Sequence, residues 1–113
     1  MNMAPALREA YRRELAEADA LEAAGAWQTA FHHLERAHIL GQRHTLAHTR
    51  AHLRMLRNGW KRADAREVRG QVVRSLAALL KTVIWVPAGN TGGANVNPLR
   101  PMPIPADLKP YLD

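Results

Sequence analysis

The chain has 113 residues, 47% hydrophobic and 23% charged, with no cysteine and a formal net charge of +6. This is the length of one ordinary domain and the balance of a chain that folds around a core, which excludes wholesale disorder. The lack of cysteine excludes disulfides, thiolate metal sites, iron–sulfur clusters and thiol catalysis. Nor does any run of about 18 apolar residues occur that could span a membrane. The opening residues carry charges throughout, so the sequence predicts a cytoplasmic protein without a signal peptide. The positive charge is concentrated: residues 1–40 carry a net −2 and residues 41–81 a net +8.

Four amphipathic segments follow in chain order. The first runs from about Pro5 to Ala24, with proline suited to the first turn and Gly25 as the stop. Its apolar face reads Leu7, Tyr11, Ala18 and Leu21, with Glu14 beside them. The second runs from about Ala26 to Leu40 and ends at Gly41, aligning Trp27, Ala30, Phe31, Leu34, Ala37 and His38 at helical period. A third starts near His44 and ends around Asn58-Gly59, with Leu46, Leu53, Leu56 and Trp60 as its predicted apolar face. The fourth is capped by Asp64, with Glu67 three positions on, and continues to about Val83 through Ala65, Val68, Val72, Leu76 and Leu79. Short connections between them predict an all-α fold, either a four-helix up-down bundle or stacked helical hairpins. Gly25 and Gly59 stand 34 residues apart, the tetratricopeptide spacing, but the large first-helix anchors of that repeat are missing.

The bundle is assigned to residues 1–83 and a Pro/Gly-rich arm to residues 84–113, within one domain. Gly92-Gly93 and the alternating prolines exclude helix and central strand there. Ile84, Trp85, Val86, Leu99, Met102 and Ile104 are too apolar for a solvated tail, so the arm is expected to pack, extended, on the bundle or on a second subunit.

The run Ala37-His38-Ile39-Leu40-Gly41-Gln42, then His44, His48 and His52, then Pro87 to Gly92 and Pro101 to Pro105 resemble a family of short bacterial proteins, domain of unknown function 3703. The resemblance covers nearly the whole chain. It implies a small helical bacterial protein and brings no activity, cofactor or catalytic residue with it.

All six histidines lie between residues 32 and 52. His44, His48 and His52 are spaced i, i+4, i+8, one above another on a helix face. Glu35 and His38 form an E-x-x-H pair on the second segment, a ligand arrangement of carboxylate-bridged di-metal bundles. A hairpin turning at Gly41 to Arg43 sets His38 level with about His48. The candidate metal ligands are therefore Glu35, His38, His48 and His52, with His44 and Glu14 as substitutes. Nitrogen and oxygen donors without sulfur suit Zn, Fe, Ni or Mn. The competing reading is structural: His38 as a hydrogen-bonded core histidine, and the 44–48–52 stripe as a helix contact or dimer face. Only one E-x-x-H motif is present, half of the di-metal set.

Arg50, Arg54, Arg57 and Lys61 form a basic stripe. No helix-turn-helix signature accompanies it, and aromatic residues are only 5%, so a solvated face paired with first-helix glutamates is expected instead of a nucleic-acid reader. Ser75, the only serine, has no nucleophile elbow. The Gly89 to Gly93 turn has no following lysine and opens no helix, which rejects a P-loop; its backbone donors could still hold a small ligand. The sequence thus predicts a non-enzymatic binding or accessory protein acting as a homo-oligomer, since its apolar load exceeds what four short helices cover. Divalent-metal binding is the alternative and nucleic-acid binding the third reading.

Overall fold

The computed structural model describes residues 3–80, 90–94, 96 and 100–113, with only the backbone described for residues 77–80. Among the described residues it is all-helical: α1 (Pro5–Ala23), α2 (Trp27–Gly41), α3 (Thr45–Lys61), α4 (Ala65–Leu80) and a single 3₁₀ turn, Lys109–Tyr111. Pro5 stands in the first turn of α1, where its missing N–H would have had no partner. Gly25, at φ +78°, ends the helix. The amides of Gly25 and Ala26 reach back to the carbonyls of Glu22 and Leu21 at 3.0 and 2.8 Å, which closes the helix end in a Schellman turn.

The α3–α4 turn uses the same device with a different residue. The sequence predicts a stop at Asn58-Gly59, yet α3 continues to Lys61 and the left-handed position falls to Ala63, at φ 58°. Asp64 N–H then bonds Gly59 O at 2.9 Å and Ala63 N–H bonds Trp60 O at 3.1 Å. Gly59 serves proximity instead: a Cβ there would lie 3.2 Å from the Glu67 side chain of α4. Asp64 caps α4 through its Oδ1, which accepts the Glu67 N–H at 3.0 Å.

Each helix packs mainly on its neighbours in sequence, α1 on α2, α2 on α3 and α3 on α4. The apolar core joins Leu7, Tyr11 and Leu15 of α1 to Phe31, Leu34, Ile39 and Leu40 of α2, with Met55 of α3 and Leu108 of the tail. Ile104, Tyr111 and Leu112 pack against it. Polar bonds tie α1 to α3: the Tyr11 hydroxyl donates to Ala47 O at 2.8 Å and Asn58 Nδ2 donates to Glu22 Oε2 at 2.9 Å. Arg54 reaches both Asp19 and Glu22, so one cation of the basic stripe is neutralised by α1. Arg50, Arg57 and Lys61 remain exposed.

The outer two helices correct the sequence reading. The predicted apolar face of α3 is largely outside: Leu46 is 79% exposed, Leu53 50% and Trp60 72%. Its buried face is His48, Thr49, Ala51, His52, Met55, Asn58 and Gly59. On α4, Val72 and Leu76 are likewise exposed, while Glu67, Gln71 and Ser75 are buried. The polar faces are tolerated inside because most of their donors and acceptors close on one another, which removes the main cost of burying them. Val83, Ile84, Trp85, Val86, the Pro87 to Gly89 stretch and Leu99 lie outside the described residues, so what was expected of them has no counterpart here. No helix among the described residues is long and apolar enough to cross a membrane.

Candidate metal centre

The α2–α3 connection at Gln42 to His44 is short enough to bring the C-terminal turns of α2 beside the first half of α3. His38 is thereby set against His48 and His52, which stand one turn apart on the buried face of α3. His48 Nε2 lies 3.0 Å from His38 Nε2 and 3.1 Å from His52 Nε2. One ligand nitrogen from each of the three rings fits within 4.8 Å of the others. All three residues are buried, at 2%, 7% and 3% exposure for His38, His48 and His52.

The outward nitrogens fix the tautomers. His38 Nδ1 is 2.8 Å from the backbone carbonyl of Asn90, an oxygen that can only accept. His52 Nδ1 is 2.6 Å from Gln71 Oε1. The amide of Gln71 is itself oriented, because its Nε2 donates to Glu67 Oε2 at 2.6 Å and to Gly92 O at 2.8 Å. Both imidazoles therefore donate from Nδ1, and a neutral ring then carries a lone pair on Nε2. Two lone pairs face His48 Nε2, which can carry one proton and satisfy one of them. The cluster is short of hydrogen and rich in electron pairs, which is the donor set a cation completes.

Burial keeps these rings neutral. It lowers His48 from its usual value to about 4. His52 is also held at about 4, by burial first and the neighbouring His48 second. His38 falls well below the ordinary histidine range through burial and the adjacent His52 and His48.

A segment of the tail closes the site. Asn90 is 2% exposed, and its Nδ2 donates to Arg100 O at 2.8 Å while its Oδ1 accepts the Gly92 N–H at 2.9 Å. Arg74 of α4 donates to the carbonyls of Gly92, Gly93 and Val96. Glu67 Oε2 accepts the Ala94 N–H at 2.9 Å. Gly92 takes φ +81°, and a Cβ on it would meet the His38 ring at 2.6 Å. Replacing Gly92 by alanine is expected to cost about 3 kcal/mol, from left-handed backbone strain and overpacking together. Urea denaturation would show it, and an unchanged midpoint would mean that the tail has another way to lie on His38.

The remaining sequence candidates stand elsewhere. Glu35 is outside the three-ring cluster and lines a polar pocket with Gln28, Phe31, Arg62, Asp64 and Glu67. Burial, with the nearby Glu67 charge adding to it, pushes the Glu35 carboxyl up to about 7. Glu14 is engaged by Arg36 Nε and His33 Nδ1, both at 2.8 Å. His44 is the N-cap residue of α3. Sequence reasoning missed Glu67, Gln71, Arg74, Asn90 and Gly92. The one available signal was polar: Glu67, Gln71 and Ser75 recur at i, i+4, i+8, a stripe as periodic as the valines opposite.

Fold and cluster together define a class, a small all-helical protein in which three buried imidazoles meet between two helices of one hairpin. Over residues 5–112 the sequence matches a family described as proteins of unknown function, DUF3703, and the chain belongs to that family. No curated protein and no solved structure matches it.

Proposed function

We propose that the protein binds one divalent transition-metal ion through His38, His48 and His52. One observation carries this reading: His48 Nε2 lies 3.0 and 3.1 Å from the buried Nε2 atoms of His38 and His52, both of which are held as lone pairs by their Nδ1 partners. Zinc–nitrogen bonds of 2.0–2.1 Å at tetrahedral angles set ligand nitrogens about 3.3 Å apart, within a few tenths of an ångström of the two separations that His48 Nε2 makes with His38 and His52. The bonds from Nδ1 to Asn90 O and Gln71 Oε1 are the outer contacts that orient metal-binding imidazoles. Three imidazoles favour Zn, Ni or Fe, and Mn, which prefers oxygen donors, suits the set least. Three protein ligands leave a fourth position for a small ligand, and Glu35, one turn before His38, is not needed for the tripod.

The test is a competition titration of untagged, metal-stripped protein with zinc against a chromogenic chelator, alongside elemental analysis. Expected are one zinc per chain and no high-affinity site in His48→Ala. Retention of that site by the variant, or zinc binding removed only by exchanging the surface pair His32 and His33, would overturn the reading.

A further inference from the structure

We propose that the outer face shared by α3 and α4 is the docking site for an acidic amphipathic helix of a protein partner. Leu53, Trp60, Val72 and Leu76 sit there 50%, 72%, 43% and 58% exposed, outside the core cluster formed by the described residues. A contiguous apolar patch of this kind marks an interface on a soluble protein.

The face is shaped as well as apolar. His52 meets Gln71 and Gly59 meets Glu67, so α3 and α4 run antiparallel with their outer ridges in step. Between the ridges lie two depressions that share Trp60 and Val68. One is lined by Leu53, Leu56, Arg57 and Val72, the other by Ala63, Asp64, Ala65 and Arg69. A groove between two packed helices accepts the ridge of a third, with anchors at i, i+3 or i+4, and i+7.

Charge selects the occupant. Arg57 and Arg69 line the two depressions and are exposed, as are Lys61 and Arg66 of the same two helices, and none of them forms an ion pair among the described residues. α3 carries no carboxylate; at the start of α4, Asp64 caps the helix and pairs with Arg62, and Glu67 is buried against Gln71 and Ala94. A two-fold dimer through this face, the assembly expected from the apolar load of the sequence, would bring two copies of the same cationic face together. Like charges placed opposite one another suppress association. Duplex nucleic acid would answer the cations but offers little to Leu53 and Trp60. A helix with an apolar ridge and glutamates on both flanks satisfies both features at once.

The probe is a fluorescently labelled synthetic helix with leucine along one face and glutamate on its flanks, titrated with the full-length protein. The same peptide carrying lysine for glutamate is the control. Expected are binding of the acidic peptide that weakens as salt rises, and at least tenfold weaker binding in Trp60→Ala. The double variant Arg57→Glu/Arg69→Glu should lose the acidic peptide and gain the lysine one. All these positions are exposed, and circular dichroism confirms that each variant is folded. The proposal is overturned if the acidic peptide fails to bind or the lysine peptide binds equally well. It is also overturned if anionic vesicles compete the peptide off, or if sedimentation shows a dimer that Trp60→Ala dissolves. None of these results depends on metal at the histidine cluster.

Discussion

Zinc should raise the thermal midpoint of the wild-type protein by about 10 °C when present at a hundredfold excess over its dissociation constant. An ion that binds only the folded chain adds about 2.7 kcal/mol at that excess, and for a domain near 100 residues each kcal/mol moves the midpoint by several degrees. His48→Ala should abolish the effect. Its Nε2 is the atom in contact with both other rings, so the tripod cannot close on two ligands with the same affinity. Alanine is also the best helix former at this mid-helix position, and removing the ring leaves space beside the Nε2 lone pairs of His38 and His52 for a water to donate to them. Its loss in metal-free stability should therefore be smaller than its loss of zinc response. His44→Ala and Glu35→Gln are the discriminating controls, because neither residue belongs to the cluster. Both should keep the full zinc-dependent rise. If Glu35→Gln loses it, the carboxylate is a ligand and the tripod assignment is wrong. If His48→Ala keeps it, the stabilising ion sits elsewhere.

The sequence carries the helix pattern and the three histidines, and it conceals the environment that makes them a site. Gly25 announces its turn because only the left-handed backbone is at issue there. Gly59 misleads because a glycine can serve close approach instead of a turn, and the partner that approaches, Glu67, is eight residues further on. Periodicity on α3 shows that one face is apolar and the other polar, but it does not say which face turns inward. That depends on whether the polar face can be satisfied, and the groups that satisfy His38 and His52 come from Asn90 and from Gln71. The E-x-x-H spacing brought Glu35 into the expected ligand set by a similar shortcut. Three residues place Glu35 one turn from His38, but that turn ends among Phe31, Arg62 and Glu67 rather than at the imidazoles. Glu67 itself reads as half of a capping box. Asp64 makes its half, while the Glu67 carboxylate turns instead to Gln71 and Ala94 and so supports His52 at one remove.

Without metal, the cluster should make the protein acid-sensitive in a defined window. His48 and His52 titrate near 4 in the folded chain against 6.5 for the free side chain, and His38 is displaced in the same direction. Between these values the unfolded chain binds protons at positions where the folded chain does not. Stability therefore rises with pH through the window: it is fully present above about pH 6.5 and is lost as pH falls toward 4. Glu35 works the other way. Raised to about 7 from 4.5, it makes the folded chain the better proton binder between those values, so acidification relieves part of the loss. Three groups act against one. At about 1.4 kcal/mol per unit of displacement, His48 and His52 outweigh Glu35 by about 2 kcal/mol between pH 7 and 4.5, and His38 adds to the loss in the same direction, a sizeable part of the 5–15 kcal/mol total typical of a domain. Urea denaturation in the presence of a chelator at pH 7, 6, 5 and 4.5 measures it directly. The midpoint should fall steadily, fall further in Glu35→Gln, where the opposing group is gone, and fall less in His48→Ala. A midpoint that stays level or rises on acidification would mean that the imidazoles take up protons inside the fold, and the lone-pair tripod would lose its physical basis.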